Sequence, residues 1–171
     1  MKEDQFLISI LVSNHFGVLA RIASLFSKRG YNIDSLTVGE TADCSLSRMT
    51  IVSTGDEYIR TQMARQLEKL VDVKCVQVMN KSDTIVRELL LLKVFVDKDK
   101  RSEIMRAFDV FRAKIVDLSP ESVSVELTGE PDKLNALIDY MRDYNIVELS
   151  RTGVTALGRN GYCLSEKDGS L

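Results

Sequence analysis

The order of the predicted strands and helices constrains the fold most strongly, because the same order occurs twice. In the first half, apolar periodicity predicts a strand, a helix, two strands, a helix and a strand. The segments are 6–12, 18–28, 31–38, 46–53, a helix that begins after 54–57, and 71–79. This β-α-β-β-α-β order is that of the ferredoxin-like arrangement.

The second half repeats this order with little sequence identity to the first. Its predicted segments are 89–96, 98–112, 114–118, 122–128, a helix from 131, and 145–150. In both halves the second helix begins after a Thr-Gly-acid sequence, at Thr54 and at Thr128. We therefore predict an α+β protein of two tandem ferredoxin-like domains. They span residues 1–80 and 88–158, with a linker at 81–87 and a tail at 159–171.

The strand predicted at 89–96, LLLLKVFV, is almost continuously apolar. Such a run is typical of a strand that is buried on both faces or of one that lies at an interface. Both alternatives stay open at this strand.

A polar, glycine-containing turn, residues 14–19, connects the first predicted strand to the first predicted helix, and we name it the Gly17 turn. The helix ends at Gly30, and its predicted buried face carries Val18, Leu19, Ile22, Ala23, Leu25 and Phe26. The first backbone N–H groups of a helix lack intrahelical partners, so a strand that ends at a helix N-terminus creates a small anion site. The Gly17 turn is thus a candidate site for the carboxylate of a small amino acid.

The Gly17 turn permits two interpretations. Gly17 could serve only the backbone geometry of the helix entry, with Asn14 bonded locally to that turn. Alternatively, Gly17 lets a ligand approach, the amides of Val18 and Leu19 meet its carboxylate, and the Asn14 amide orients it. In the second interpretation the apolar contact for a short aliphatic side chain comes from Phe16, Val18 and Ile33. His15 is expected at the surface beside this site.

Composition excludes several classes of protein. A formal charge of −2 gives no overall attraction to nucleic acid or to anionic membranes, and no apolar run reaches the length of a membrane span. The N-terminus has neither a signal peptide's apolar core nor the acid-poor character of a transit peptide, so we expect a cytoplasmic protein. The three cysteines, Cys44, Cys75 and Cys163, have the spacing of neither a disulfide framework nor a metal site.

Motifs for catalysis and RNA binding are missing from the sequence. It has no Gly-rich phosphate loop and no nucleophile elbow, and His15 is the only histidine, so no catalytic constellation is predicted. RNA-recognition modules share the β-α-β-β-α-β order but stack bases on aromatic residues of the third strand. The corresponding segments here, 46–53 and 122–128, contain no aromatic residue.

The segment 14–38, N-x-x-G-V-L-A-R-I-A-S-L-F-S-K-R-G-Y-N-I-D-S-L-T-V, strongly resembles the small regulatory subunit of acetohydroxyacid synthase (acetolactate synthase). Further matching segments lie at 46–52, 66–73 and 87–94. The resemblance is close over residues 6–95 and looser to about residue 158. It identifies the first domain as a member of the ACT regulatory domains.

The resemblance implies how an effector would bind. ACT domains of this family pair with a second copy through a sheet edge and place effector sites at the dimer interface. Asn14, Gly17, Val18 and Leu19 of one chain would then face Asn32 and Ile33 of the other. The implied effector is a branched-chain amino acid, chiefly valine, which inhibits the synthase.

The resemblance also implies that catalysis and regulation belong to two different subunits. A large catalytic subunit, which uses thiamine diphosphate, FAD and magnesium, performs the chemistry and is activated by the small subunit. This chain would hold no cofactor, metal or catalytic residue of its own. It departs from the family at His15, where a small or acidic residue is usual, and at Phe16, where a small residue or proline is usual. The alternative is a free-standing amino-acid sensor that acts on a transcription factor or transporter.

Overall fold

The computed structural model describes residues 4–161 and 163–164 of the 171-residue chain. These residues form nine β-strands and four α-helices, divided between two compact units. The first unit comprises the described residues up to Ile85 together with those from Val154 onward. The second unit comprises Val86–Gly153.

The first unit has the predicted β-α-β-β-α-β order. Its elements are β1 (Gln5–Ser13), α1 (Val18–Arg29), β2 (Ser35–Glu40), β3 (Leu46–Thr54), α2 (Glu57–Leu67) and β4 (Val73–Met79). The antiparallel sheet has the order β2-β3-β1-β4, so β1 and β3 are central and β2 lies at an edge.

Both faces of β1 are buried. Ile8, Ile10 and Val12 pack with the buried residues of α1 and α2, namely Val18, Ile22, Phe26, Met63 and Leu67. The alternate residues Leu7, Ser9 and Leu11 point to the other face and are at most 7% exposed. Val154, where the chain re-enters the first unit, lies beside β2. Its N–H donates a hydrogen bond to the Ser35 hydroxyl (3.1 Å).

The buried face of α1 is narrower than predicted. Val18, Ile22 and Phe26 are buried at i, i+4 spacing, but Leu19 and Ala23 are exposed. Each of these two follows a buried residue by about 100° of helical rotation, which carries it off the stripe that faces the sheet. Leu19 is therefore available at the surface beside the Gly17 turn.

The second unit repeats the architecture. Its elements are β5 (Thr84–Phe95), α3 (Arg101–Phe111), β6 (Lys114–Leu118), β7 (Ser122–Gly129), α4 (Pro131–Met141) and β8 (Ile146–Arg151). The sheet order is β6-β7-β5-β8. The short strand β9 (Thr155–Gly158) and the first two residues of β5 group with the first unit. Pro131 occupies the first turn of α4, where its missing N–H costs no hydrogen bond.

A buried ion pair fixes the last strand of the second unit. Glu88 of β5 is 6% exposed, and its carboxylate accepts hydrogen bonds from Nε (2.8 Å) and from a terminal nitrogen (2.5 Å) of Arg151. The other terminal nitrogen of Arg151 donates to the Asn135 side chain of α4 (2.9 Å). One arginine thus joins β8, β5 and α4.

The apolar strand predicted at 89–96 is not buried on both faces. Leu90, Leu92 and Val94 are buried against the helices, but Leu91 and Phe95 on the other face are 44% and 37% exposed. Burial therefore alternates along β5, as in a sheet with helices on one side. The alternative that this strand lies at an interface stays a prediction.

The predicted linker, residues 81–87, consists of regular structure, and the boundary between the two units falls within it, between Ile85 and Val86. A single turn of 3₁₀-helix occupies Lys81–Asp83, and β5 begins at Thr84, whose hydroxyl donates to the Asn80 carbonyl (2.6 Å). The β-branched residues 84–86 favour a strand over a loop. At the other end, β9 falls within the range predicted for the second domain but groups with the first unit. Residues 162 and 165–171 of the predicted tail lie outside the described residues.

The second strand begins later than predicted, at Ser35 instead of residue 31. Polar groups of the preceding segment bond locally: the Asn32 amide donates to Asp34 (2.5 Å), and the Ser53 hydroxyl donates to the Asn32 carbonyl (2.6 Å). Such bonds compete with the regular ladder of a sheet. Asn32 and Ile33 therefore lie in a loop and not in a strand.

The N-cap of α2 offers a test of this fold. The Asp56 side chain accepts a hydrogen bond from the Ile59 N–H (2.8 Å). We expect Asp56→Ala to lower the free energy of unfolding by about 1 kcal/mol, because a helix N–H loses its partner. Urea denaturation measures the change. Asp56→Asn is the control and should stay close to the wild type, and equal losses in both variants would contradict a capping role.

Candidate functional site

Gly17 has the backbone conformation that the first interpretation requires. It is the N-cap of α1 with φ +88°, in the left-handed region that side chains with a Cβ rarely adopt. A Cβ added to Gly17 would meet no atom within 4 Å, so the space in front of the glycine is open. Helix entry explains the glycine, and the open space leaves room for a ligand beside it.

The N-terminus of α1 is electrostatically unbalanced. No side chain caps the helix, and its first turn contains no acidic residue. A helix N-terminus carries about half a positive charge, which an anion can stabilise. The start of α1 thus lacks a compensating negative charge, and the Val18 N–H donates a long hydrogen bond to the His15 carbonyl within the turn (3.5 Å).

Apolar side chains flank these amides. Val18 is 3% exposed and anchors the helix start in the core, whereas Phe16 is fully exposed and Leu19 is 45% exposed. Single exposed apolar residues are ordinary on protein surfaces. Phe16 and Leu19 both lie beside the uncapped start of α1.

Asn14 joins the Gly17 turn to the loop between β2 and β3. Its backbone N–H donates to the Ser45 carbonyl (2.7 Å), and its side-chain nitrogen donates to the Cys44 carbonyl (2.9 Å). The loop is ordered by Asp43, which accepts bonds from the Ser45 hydroxyl (2.7 Å) and the Ser45 N–H (2.9 Å). These two bonds lower the pKa of Asp43. The bond to Cys44 orients the Asn14 side chain, whose amide oxygen can accept a hydrogen bond from a ligand.

A single chain does not bring all the predicted site residues together. Asn14, Gly17, Val18 and Leu19 lie at the start of α1, whereas Asn32 and Ile33 follow its end. The 12 residues of α1 separate the two groups by about 18 Å along the helix axis. Asn32 is exposed and Ile33 is half-buried. A site that uses both groups requires a second chain.

The sequence prediction missed an ion cluster beside the Gly17 turn. Asp72, 7% exposed, lies 3.1 Å from Nε2 of His15 and accepts a short hydrogen bond from Arg21. The sequence analysis assigned no role at this turn to Arg21 or to Asp72. An aspartate between the apolar residues Val71 and Val73 is the signal that could have indicated a buried, paired carboxylate.

Within residues 4–161 and 163–164, no cluster of three or more His, Cys, Asp or Glu side chains has the arrangement of a metal site. No helix of the described chain has the length and apolar character needed to cross a membrane.

Comparison with known proteins identifies the family. One family model, described as AHAS small subunit-like ACT domain, matches residues 8–74, and another, described as small subunit of acetolactate synthase, matches residues 87–160. The probable acetolactate synthase small subunit of Archaeoglobus fulgidus is 49% identical, over 89% of this chain and 95% of that protein. The chain belongs to the acetolactate synthase small-subunit family.

Further relatives support the assignment. The probable acetolactate synthase small subunit of Methanothermobacter thermautotrophicus is 42% identical, over 93% of this chain and 95% of its own length. The crystal structure of the acetolactate synthase small subunit from Thermotoga maritima has a TM-score of 0.86 and 38% identity, and the match covers 92% of this chain and 99% of that chain. The predicted fold, tandem ferredoxin-like domains with an ACT domain first, is confirmed. Membership in this family supports a regulatory role in the synthase.

The β2–β3 loop gives a pH prediction. Asp43 has a lowered pKa in the folded chain, so its contribution to stability is present at neutral pH and is lost as the pH falls through that pKa. We expect Ser45→Ala to raise the pKa of Asp43, because the largest stabilising bond comes from the Ser45 hydroxyl. Carboxyl NMR titration measures this pKa. Ser24→Ala, on the exposed side of α1, is the control, and an unchanged Asp43 pKa in Ser45→Ala would contradict the prediction.

Proposed function

We propose that this chain is the regulatory subunit of an acetolactate synthase in branched-chain amino acid biosynthesis. In this proposal it activates a large catalytic subunit and makes it sensitive to feedback inhibition by valine. The proposal is carried by one observation: a small-subunit ACT domain whose first helix begins at an open, uncapped glycine. In this proposal the large subunit performs the chemistry with thiamine diphosphate, FAD and magnesium. Both subunits act in the cytoplasm.

Valine would fit the Gly17 turn through three kinds of contact. Its carboxylate accepts hydrogen bonds from the amides of Val18 and Leu19, where the helix field favours negative charge. Its ammonium group donates to the amide oxygen of Asn14. Its isopropyl group contacts Leu19 and an Ile33 from a second chain.

The sheet geometry explains how a second chain could complete the site. β2 lies at the sheet edge, where unpaired backbone groups can bond to another copy. Antiparallel pairing of two β2 strands around a twofold axis places the Ser35 end of one beside the Glu40 end of the other. Glu40 pairs with Ser47, which in turn pairs with Val12, so the Glu40 end is the one near the Gly17 turn.

This pairing moves the partner subunit's Asn32 and the partner subunit's Ile33, which precede β2, toward Asn14 and Gly17. A ligand that contacts both chains binds one packing of the dimer better than another. Such a difference in affinity is what feedback regulation requires, because equal binding to two states shifts neither.

One assay tests the proposed function directly. Acetolactate formation by a matching large subunit is measured with and without this chain, across a series of valine concentrations. We expect a higher rate with the chain and a valine-dependent fall in that rate. An unchanged rate at every valine concentration would contradict the proposal and would favour the free-standing sensor.

Charge at the Gly17 position provides a sharper test of the site. We expect Gly17→Asp to abolish valine inhibition and to preserve activation, because a carboxylate would oppose the carboxylate of valine. Gly17→Asn is the matched control, since Asn has nearly the same size and also tolerates the left-handed backbone. Valine should still inhibit the complex that contains Gly17→Asn. The valine concentration needed should be at most about tenfold higher than for the wild type, which is the effect of losing one ordinary hydrogen bond. Equal valine inhibition in Gly17→Asp and the wild type would exclude the site.

Mixing two defective chains tests whether the site is shared. Gly17→Asp and Asn32→Ala alone should each lack strong valine inhibition. In a refolded mixture, half of the dimers are mixed, and each mixed dimer has one intact site and one doubly defective site, so about a quarter of all sites recover. Recovery of valine binding, measured by calorimetry, is the expected result. No recovery despite mixed dimers would indicate that the site lies within one chain.

A further inference from the structure

Asp34 joins the loop before β2 to two strands of the first sheet. One oxygen of its carboxylate accepts hydrogen bonds from Nε2 of Gln5 (3.1 Å) and from the Thr54 hydroxyl (2.6 Å). Gln5 begins β1 and Thr54 ends β3, and the two residues are paired in the sheet. The Asp34 N–H donates to the Val52 carbonyl (2.9 Å). The sheet therefore fixes both the backbone and the side chain of Asp34.

The other oxygen of the Asp34 carboxylate fixes the direction of the Asn32 side chain. It accepts a hydrogen bond from Nδ2 of Asn32 (2.5 Å). An ionised carboxylate has no hydrogen to donate, so the nitrogen of the Asn32 amide faces it and the oxygen does not. The Asn32 backbone is held separately, since its carbonyl accepts a bond from the buried Ser53 hydroxyl (2.6 Å). The amide oxygen of Asn32 thus points away from Asp34 and can accept a hydrogen bond from a ligand.

Asn14 has the same orientation for the same chemical reason. Its side-chain nitrogen donates to the Cys44 carbonyl, which can only accept, so its amide oxygen is the group turned away from that loop. In the proposed dimer site, Asn14 of one chain and the partner subunit's Asn32 both present oxygen atoms. The amides of Val18 and Leu19 present N–H groups. Such a site offers donors for a carboxylate and two acceptors for an ammonium group.

We propose that Asp34 is a positioning residue for the amino-acid site and that, by orienting Asn32, it restricts the site to ligands with an ammonium group. Asp34 acts through Asn32 and does not contact the ligand. The inference rests on the proposed function and adds which analogue the site rejects. The 2-oxo acid analogue of valine has the same carboxylate and the same isopropyl group. Its oxo group has no hydrogen to donate, so it would face two acceptor oxygens without forming a bond.

Calorimetric titration of the full-length chain with valine and with its 2-oxo acid analogue tests this restriction. We expect the wild type to bind the 2-oxo acid at least about a hundredfold more weakly, which is the effect of losing two hydrogen bonds to a charged group. Equal affinity for the two ligands would overturn the proposal.

Asp34→Asn removes the constraint on Asn32. The new amide can either accept or donate, so Asn32 can turn its NH₂ group toward the ligand. Valine should bind about tenfold more weakly and the 2-oxo acid no more weakly than to the wild type, so the ratio of the two affinities falls about tenfold. Damage to the loop alone would weaken both ligands alike, and an unchanged ratio would overturn the proposal. Asp34→Glu keeps a carboxylate that only accepts and should retain the wild-type ratio.

A double variant separates orientation of Asn32 from direct attraction of the ammonium group by the charge of Asp34. If Asp34 acts through Asn32, Asp34→Asn should weaken valine binding by less than about twofold in an Asn32→Ala chain. A loss of about tenfold in that chain as well would overturn the positioning role. Asp109→Asn, which removes an exposed carboxylate on α3, is the control and should bind valine like the wild type.

NMR of the ligand-free chain distinguishes failure of this inference from failure of the proposed function. The two Nδ2 protons of Asn32 should differ in chemical shift, because one is bonded to the Asp34 carboxylate, and Asp34→Asn should reduce that difference. If the NMR result holds and valine does not bind the wild type, the proposed function fails while the Asp34–Asn32 connection stands. If valine binds the wild type and Asp34→Asn leaves the affinity ratio unchanged, the positioning role fails and the proposed function stands.

Discussion

The proposed site depends on the tight connection between β1 and α1. Val12 and Val18 both belong to the core, so the intervening residues must turn the chain back onto the sheet within a short distance. The left-handed backbone of Gly17 makes this turn possible. The same residue leaves the helix without a side-chain cap and has open space where a Cβ would lie. The β1–α1 connection and the proposed ligand site therefore depend on the same glycine.

The second unit shows that the fold alone does not create such a site. The connection between β5 and α3 contains no glycine, and Lys100, the N-cap of α3, has an ordinary right-handed backbone conformation. Glu103 occupies the first turn of α3, where its negative charge already balances the helix field. Each unit also holds a buried carboxylate, but Glu88 is paired with Arg151 of the last strand, whereas Asp72 is paired with groups of a turn. The same architecture thus carries the features of an anion site in only one of its two copies.

Much of the fold followed from periodicity, and the errors have common causes. The element order and the identity of each helix were predictable because apolar residues recur at helical or strand spacing over long segments. The predicted element boundaries were wrong where local side-chain hydrogen bonds of polar residues decide the conformation. Examples are the start of β5 at Thr84 and the loop at Asn32. The His15–Asp72–Arg21 cluster could not be predicted from periodicity. Asp72 lies 51 positions after Arg21 and 57 positions after His15, and a contact over such a distance in the chain leaves no periodic pattern in the sequence.

The sequence by itself determined the repeated element order, the glycine at the entry of α1 and the family, because local patterns and matching motifs encode these features. Only the tertiary structure decided which faces are covered. It buried β1 on both sides, exposed one face of β5, and returned the chain to the first unit at Val154. It also separated Asn32 from Gly17 by the length of α1. Such distances depend on how segments far apart in the chain pack together, which no single stretch of sequence specifies.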